Sequence, residues 1–316
     1  MNSPDEHTVS VAVAGVWAGP EAPRPLDFPA LTAPVQVQQW LTALDDAQRL
    51  ELCTRKLLDT QVLFGERVRV VAQRDDWYRV IVPGQASSRD PRGYPGWMPR
   101  HQLVRAGHTP AAHERFVMVT APTATLRSID RAFEPLTLSF TTRLPLLAEA
   151  GDELEVLTPL GRGRLPRAAV DIDKGAPRTR SVAEIIALGE AFLGLPYLWS
   201  GRSGFGFDCS GFVHALFQAA GCMIPRDAID QARAGAAVTL DTLAPGDLLF
   251  FERPQPDGRM RIEHVGLYCG DGRMLHSPTS GQSIEYRRLA GSRYERELCA
   301  ARRYVTDNEA VHGPVG

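Results

Sequence analysis

The sequence is poor in cysteine, and its few cysteines follow no paired pattern. The five thiols stand at irregular spacing: Cys53, Cys209, Cys222, Cys269 and Cys299. An odd number without a Cys-x-x-Cys pair argues against a disulfide framework and against a cysteine-based zinc site. The sequence therefore predicts a protein without a metal or organic cofactor that works in a reducing compartment, the cytoplasm.

Long apolar runs and an excess of either charge are also missing. No stretch approaches the roughly 20 apolar residues that span a bilayer, and the formal net charge of −2 gives no reason to expect nucleic acid or a membrane as a partner. The N-terminus carries Asp5 and Glu6 and does not resemble a signal peptide. With 316 residues, 44% hydrophobic and 23% charged, the chain is long enough for two or three globular domains.

The most informative stretch is residues 206–212, Gly-Phe-Asp-Cys-Ser-Gly-Phe. A loop rich in glycine and aromatic residues precedes it, and apolar residues with helical period follow it as far as Gly221. This pattern predicts that Cys209 lies in the first turn of a buried helix, with Asp208 as its N-cap. The unpaired N–H groups at such a helix end favour a thiolate over a thiol. Most single cysteines are structural, so the neighbouring motifs decide the role.

Two downstream histidines complete a set of nucleophile, base and orienting group. His264 begins a predicted strand and would act as general base and then general acid. His276 lies twelve residues further on, beyond the Gly-Asp-Gly turn at 270–272. A three-residue loop would place His276 opposite Gly266, with both imidazoles on one face, whereas a two-residue loop would place them on opposite faces. His214, inside the predicted helix, is expected to be structural or at the surface.

The order Tyr-x-Trp, glycine-rich loop, Asp-Cys-Ser-Gly-Phe and strand-starting His resembles the NlpC/P60 family of papain-like cysteine peptidases over roughly residues 180–305. The resemblance implies a papain-like fold and peptide hydrolysis by Cys209, His264 and His276. The backbone N–H of Cys209 would hold the oxyanion of the tetrahedral intermediate. The resemblance also places Tyr197 beside the nucleophile as a second oxyanion donor, and packing beneath the glycine-rich loop is the equally open alternative.

Short strand patterns precede this region. Residues 57–104 alternate β-branched and aromatic runs with Gly, Asp and Pro turns, and residues 115–172 repeat the theme more weakly. Both resemble bacterial SH3-like barrels. Residues 9–17 would be the first strand of the first barrel, followed by a proline-rich extended connector and a helical pattern from residue 35 to residue 52. We therefore expect an α+β protein with four parts: a first barrel with an inserted helix (1–108), a second barrel (109–173), a papain-like NlpC/P60 domain (174–306) and a tail (307–316).

Two such barrels ahead of an NlpC/P60 domain are similar to the γ-D-glutamyl-L-diamino acid endopeptidases, which trim cell-wall peptides. The resemblance implies that Glu66 and Tyr94 of the first barrel, together with Asp208, grip a free α-amine. As simpler alternatives, Glu66 would be an exposed barrel residue and Tyr94 a barrel core residue.

The resemblance implies two further substrate contacts. Ser210 would assist with the D-glutamate carboxylate, and Arg226 and Asp227 fall where the related endopeptidases have pocket residues. The simpler alternative for Arg226 and Asp227 is a solvated ion pair that contributes little.

Together these patterns predict a cytoplasmic, monomeric cysteine endopeptidase that cleaves the γ-D-glutamyl–diamino acid bond of murein-derived peptides with an unblocked L-Ala. One alternative is another papain-like thiol amidase or acyltransferase, which would use identical thiol chemistry. The other is a non-catalytic cell-wall-binding protein in which the barrels provide the function. The intact set of Cys209, His264 and His276 argues against the non-catalytic alternative.

Overall fold

The computed structural model describes residues 5–106, 115–175 and 178–305. Within them lie two seven-stranded sheets, a six-stranded sheet and a two-stranded ribbon. The expected tail at 307–316, the boundary near residue 108, and the loop histidines His108, His113 and His312 lie outside the described residues. None of the helices in the described ranges is long and apolar enough to cross a membrane.

The first barrel is an antiparallel sheet of seven strands. They are β1 (Asp5–Val9), β2 (Val13–Trp17), β3 (Leu58–Leu63), β4 (Arg67–Arg74), β5 (Trp77–Val82), β6 (Tyr94–Pro99) and β7 (Leu103–Arg105), with a 3-10 turn at Arg100–Gln102. Their order is β3-β2-β6-β5-β4-β1-β7. The single strand expected over residues 9–17 is wrong. The chain breaks between β1, which pairs with β4 and β7, and β2, which pairs with β3 and β6.

Helices fill the segment between β2 and β3. They are a 3-10 turn at Pro25–Asp27, α1 (Phe28–Leu31), α2 (Val37–Ala43) and α3 (Asp46–Thr54). The extended connector expected over 18–34 is therefore wrong in part, because proline is tolerated in the first turn of a helix. The helical pattern from 35 to 52 divides at Leu44, whose backbone is extended. Asp45 then caps α3 by accepting a hydrogen bond from the Gln48 backbone N–H.

The second barrel repeats the same architecture. Its strands are β8 (Arg115–Val119), β9 (Thr123–Ser128), β10 (Leu136–Ser139), β11 (Arg143–Ala150), β12 (Glu153–Thr158), β13 (Gly161–Pro166) and β14 (Val170–Lys174), with a 3-10 turn at Arg167–Ala169. Their order, β10-β9-β13-β12-β11-β8-β14, matches that of the first barrel strand for strand. Sequence patterns missed β10, because four residues are too few to show alternation.

The third unit combines a central helix with a six-stranded sheet. Its helices are α4 (Val182–Glu190), α5 (Cys209–Ala219), α6 (Ala228–Gln231) and α7 (Arg293–Glu297), with a 3-10 turn at Leu240–Thr242. A ribbon of β15 (Arg202–Ser203) and β16 (Gly206–Phe207) leads into α5. The sheet contains β17 (Ala236–Val238), β18 (Leu248–Pro254), β19 (Met260–Gly270), β20 (Arg273–His276), β21 (Glu285–Arg288) and β22 (Leu298–Arg303). Their order is β17-β22-β18-β19-β20-β21, and the expected α+β class is confirmed.

The first barrel packs directly against the start of this third unit. The Trp199 indole N–H and the Ser200 hydroxyl both donate to the backbone carbonyl of Leu58, at 3.0 and 2.5 Å. Leu198 and Phe205 share one buried apolar cluster with side chains of the first barrel and its helices. The barrel therefore forms a fixed wall beside the loop that leads to α5.

Candidate active site

Cys209 is the first residue of α5, as the sequence predicts. The carboxylate of Asp208 caps the helix by accepting a hydrogen bond from the Gly211 backbone N–H at 2.6 Å. A side chain at position 211 would not fit, because its Cβ would lie 2.0 Å from the carbonyl oxygen of Gly201. Cys209 is 8% exposed, and its Sγ lies 4.0 Å from the Glu263 carbonyl oxygen in β19. Because β19 begins at Met260, the expectation that His264 begins the strand is wrong. The N-cap prediction for Asp208 is confirmed.

His264 and His276 meet on one face of the sheet. His264 Nε2 lies 2.8 Å from His276 Nδ1. The turn between β19 and β20 contains two residues, the alternative that was expected to place the imidazoles on opposite faces. A bulge between Tyr268 and Gly270 adds the missing residue, and Leu267 still pairs with Leu275. This register keeps His276 opposite Gly266, so both imidazoles share a face.

The histidine pair is held in place by buried neighbours. The Ser277 hydroxyl donates to the Phe207 carbonyl at 2.8 Å and ties β20 to the segment that precedes the nucleophile. The Tyr294 ring packs against both imidazoles, with centroid distances of 5.4 Å to His264 and 5.1 Å to His276. These contacts exclude water from the pair and fix the orientation of both rings.

Burial sets the protonation of the site. It raises the pKa of the Cys209 thiol to about 12, and the Asp208 charge adds to this, while the Val265 and Ser210 backbone N–H groups oppose it. Burial also lowers the pKa of His264 well below its usual value and that of His276 to about 3. Burial thus favours the neutral thiol and the neutral imidazoles. This desolvation opposes the thiolate that is expected at the helix end.

This protonation state suits general-base catalysis. If His264 donates from Nε2 to His276, its Nδ1 carries the lone pair that can accept the thiol proton. Tyr197 is buried, and burial raises the pKa of its phenol well above the usual value, with the nearby Asp208 carboxylate adding to this effect. Its hydroxyl therefore keeps its proton and can act as a hydrogen-bond donor at neutral pH.

His214 is buried inside α5, with Nδ1 3.0 Å from the Ile224 carbonyl oxygen, in keeping with a structural role.

Arg226 binds several polar side chains beside the nucleophile. Its guanidinium is 1% exposed and donates to both Asp208 oxygens at 3.1 and 2.8 Å, and to the Ser210 and Thr60 hydroxyls at 2.9 Å each. The solvated Arg226–Asp227 pair is therefore wrong as an alternative. The charge of Asp208 is therefore matched by Arg226.

A second acidic group lies where the first barrel meets the third unit. The Tyr94 hydroxyl donates to the Asp227 carboxylate at 3.1 and 3.2 Å. Arg89 forms an ion pair with Asp59 at 2.9 Å and lies over the Tyr94 ring, 5.1 Å from its centroid. Burial raises the pKa of Asp227, and Arg226 only partly offsets this effect. Asp59, Tyr94 and Asp227 are called the acidic pocket below.

Backbone contacts fix the loop that carries Arg89. The Arg226 backbone N–H donates to the Ala86 carbonyl at 3.0 Å, and the Ser88 backbone N–H donates to the Asp230 carboxylate at 2.8 Å. The loop between β5 and β6 is thereby fastened to the third unit. The acidic pocket is consequently shared by the two units.

Glu66 does not join this pocket. Its carboxylate binds Arg202 at 2.7 and 3.0 Å and accepts from the Leu63 backbone N–H. Arg202 also donates to Gln218, which lies near the opposite end of α5 from Cys209, on the order of 13 Å along the helix axis. The expected placement of Glu66 at the amine is therefore wrong, because its charge is used to join the barrel to the far end of α5.

Asp59 is the acid that sequence reasoning missed. It lies in β3 between two buried residues, and a Cβ at Gly96 of β6 would come within 3.6 Å of its Oδ2. Aspartate is unfavourable inside a strand, so a carboxylate within the β3 segment was the available signal.

Comparisons with known proteins agree with this architecture. Residues 194–303 match the model of the NlpC/P60 family, residues 119–172 that of the YKFC SH3b2 domain, and residues 55–103 that of the bacterial dipeptidyl-peptidase Sh3 domain. The expectation of SH3-like domains ahead of an NlpC/P60 domain is confirmed.

Long relatives match along nearly the whole chain. A γ-D-glutamyl-L-lysine dipeptidyl-peptidase of Bacillus subtilis is 48% identical over 95% of this chain and 99% of its own. A protein of the same name from Bacillus cereus is 40% identical over 94% of this chain and 90% of its own. A crystal structure of an NlpC/P60 family protein from Bacillus cereus superposes with a TM-score of 0.90 at 39% identity, covering 95% of this chain and 99% of that one.

Proposed function

Because this chain belongs to the NlpC/P60 family of cysteine peptidases, we propose that it releases a dipeptide from murein-derived peptides. The bond cleaved would be the γ-D-glutamyl–diamino acid bond that follows an unblocked L-Ala. The names of the two long Bacillus relatives support this substrate class. The family membership sets aside the alternative of a non-catalytic cell-wall-binding protein.

The observation that carries the substrate proposal is the acidic pocket. Asp227 stands next to Arg226, whose guanidinium contacts Asp208 beside the nucleophile, so the pocket lies a short distance from Cys209. A free ammonium can donate charge-assisted hydrogen bonds to carboxylates and to the Tyr94 oxygen. Asp208 and Glu66 are each paired with a buried arginine, whereas the Arg89 partner of Asp59 is exposed to solvent and can give way to a ligand. We therefore assign Asp227 and Asp59 to the ammonium, in place of Glu66.

The position of the pocket explains a dipeptide product. In this proposal the first barrel bounds the substrate site at Tyr94 and Asp59, so that a peptide bound with its ammonium there would not extend further in that direction. The residue after the N-terminal one would then present its γ-carbonyl to Cys209. We assign the D-glutamate α-carboxylate to the Ser210 hydroxyl, which Arg226 holds in place.

The reaction follows from the geometry of the histidine pair. As Sγ of Cys209 attacks the γ-carbonyl carbon, its proton passes to Nδ1 of His264. The backbone N–H of Cys209 and the Tyr197 hydroxyl donate to the oxyanion. His264 then gives the proton to the leaving α-amine of the diamino acid. Water, activated by the same nitrogen, hydrolyses the thioester and releases the dipeptide.

The cellular setting proposed is the cytoplasm, with the enzyme acting as a monomer. All five cysteines are unpaired in the structure, which is compatible with a reducing compartment.

The test is product identification with L-Ala-γ-D-Glu-L-Lys as substrate. Mass spectrometry is expected to show L-Ala-D-Glu and free lysine, with no turnover by Cys209→Ala. Asp59→Asn is expected to raise KM, whereas the matched variant Glu66→Gln is expected to leave KM unchanged. Cleavage at another bond, or an effect of Glu66→Gln equal to that of Asp59→Asn, would contradict the proposal.

A further inference from the structure

One buried polar atom of the histidine pair has no hydrogen-bond partner. His276 is fully buried, and its Nε2 is unpaired among the described residues. The carboxylate of Glu285 lies close by, with its Oε1 3.6 Å from this nitrogen. Position 285 is directly opposite position 276 in the β20–β21 ladder, so the strand register itself brings the two together. This nitrogen lies on the side of the ring that faces away from His264.

The hydrogen bonds within the pair require a particular tautomer. For His264 to accept the thiol proton at Nδ1, its own N–H must sit on Nε2 and donate to Nδ1 of His276. Nδ1 of His276 must then be unprotonated, and its single N–H must sit on Nε2. That N–H points toward Glu285. A carboxylate there stabilises this tautomer over the other one, as an acceptor fixes the tautomer of an orienting histidine.

We propose that Glu285 is a positioning residue that acts through His276. It fixes the proton of His276 on Nε2 and offsets the positive charge that the pair gains when His264 takes the thiol proton. Contraction of the 3.6 Å separation to hydrogen-bond distance would accompany that charge. Glu285 itself touches neither substrate nor nucleophile.

The charged groups around the pair are consistent with this role. Arg287 on β21 binds Glu285 through Nε at 2.9 Å, and Arg293 on α7 lies over the Tyr294 ring, 4.8 Å from its centroid. Both arginines disfavour a positive charge on His276. Tyr294 covers the remaining face of the pair without contributing a charge. Glu285 is thus the acid placed to oppose the two arginines.

The test compares Glu285→Ala and Glu285→Gln with the matched neighbour variant Arg287→Gln. The first readout is the alkylation rate of Cys209 by iodoacetamide from pH 5 to 9, which needs no substrate and is independent of the proposed function. We expect Glu285→Ala to lower the plateau rate about tenfold, as for loss of a partner that orients a functional histidine. Glu285→Gln keeps a hydrogen-bond acceptor, so its alkylation rate should fall less than that of Glu285→Ala.

Both Glu285 variants should shift the fall of the alkylation rate at acidic pH to lower pH values. Removing a negative charge lowers the pKa of the imidazolium pair. The second readout is the ¹⁵N spectrum of His276, which should show protonated Nε2 in the parent and in Glu285→Gln, and a mixture in Glu285→Ala. Arg287→Gln should change neither the tautomer nor the plateau. An unchanged plateau and tautomer in Glu285→Ala would overturn the proposal. So would an equal loss in Arg287→Gln without a tautomer change, since that result indicates packing alone.

Discussion

Replacement of Arg226 by methionine tests how the first barrel, the nucleophile and the acidic pocket are held together. Arg226 is buried between Asp208, Ser210 and Thr60, and it joins the helix N-cap to β3 of the first barrel. Burial alone would lower its pKa, but the Asp208 carboxylate outweighs burial, and the net effect raises it. Arg226 is therefore charged at every accessible pH.

The expected magnitude follows from the exposure of the two partners. The side chains of Arg226 and Asp208 are 1% and 10% exposed, so Arg226→Met leaves a buried carboxylate without its cation. Breaking such a pair typically costs about 3–5 kcal/mol. With a urea slope of about 2 kcal/mol/M, the unfolding midpoint of the catalytic unit should fall by about 2 M. Activity should be lost as well, because Asp208 and Ser210 both lose their anchor.

The assay is urea denaturation followed by fluorescence, with Arg233→Met as the matched control. Arg233 also pairs with an acid, Asp230, but its side chain is 67% exposed. Its loss should therefore change stability by no more than about 0.5 kcal/mol. Arg226→Lys keeps the positive charge but loses the planar guanidinium. Its unfolding midpoint should lie between those of Arg226→Met and Arg233→Met. Equal midpoints for Arg226→Met and Arg233→Met would refute the idea that the buried guanidinium secures the site.

Two further predictions concern titration. Because burial raises the pKa of Cys209 to about 12, its alkylation by iodoacetamide should rise again above pH 9, beyond the plateau that proton transfer to His264 supports at lower pH. The absence of this second rise would show a resting thiolate instead. Asp227 must be ionised to bind an ammonium, and its pKa is raised by burial, so KM should increase on acidification at a higher pH than for an ordinary aspartate. Asp227→Asn should show a high KM without this pH dependence, and an unaltered KM profile in that variant would count against the acidic pocket.

Local sequence signals predicted well where the helix that carries Cys209 begins. Asp208 accepts from the Gly211 N–H, and Ser181 with Glu184 likewise forms a capping box at the start of α4. Such caps depend on residues three apart in the chain, so the sequence contains all the necessary information. The face shared by His264 and His276 was also predicted, although through a different turn. A two-residue turn with a bulge gives the same register as a three-residue loop.

Long-range partners were harder to predict. Glu66 was expected at the amine, yet its charge is used by Arg202, which lies 136 positions away. Asp59 joins Tyr94 only because strands β3 and β6 both pair with β2. Burial of Cys209 depends on the packing of several elements, so helix-end chemistry alone did not predict that the pKa of its thiol is raised. These features require tertiary contacts that no local pattern encodes.

The most direct test of the central claim compares kcat/KM for L-Ala-γ-D-Glu-L-Lys with that for its N-acetylated form. Acetylation removes the ammonium charge and adds bulk where the first barrel closes the cleft, leaving buried carboxylates unpaired. A cost of about 3–5 kcal/mol for such a charge corresponds to a loss of at least about a hundredfold. The account predicts this loss in the parent enzyme and a much smaller difference in Asp227→Asn. Similar kcat/KM values for both peptides in the parent enzyme would contradict recognition of the free amine.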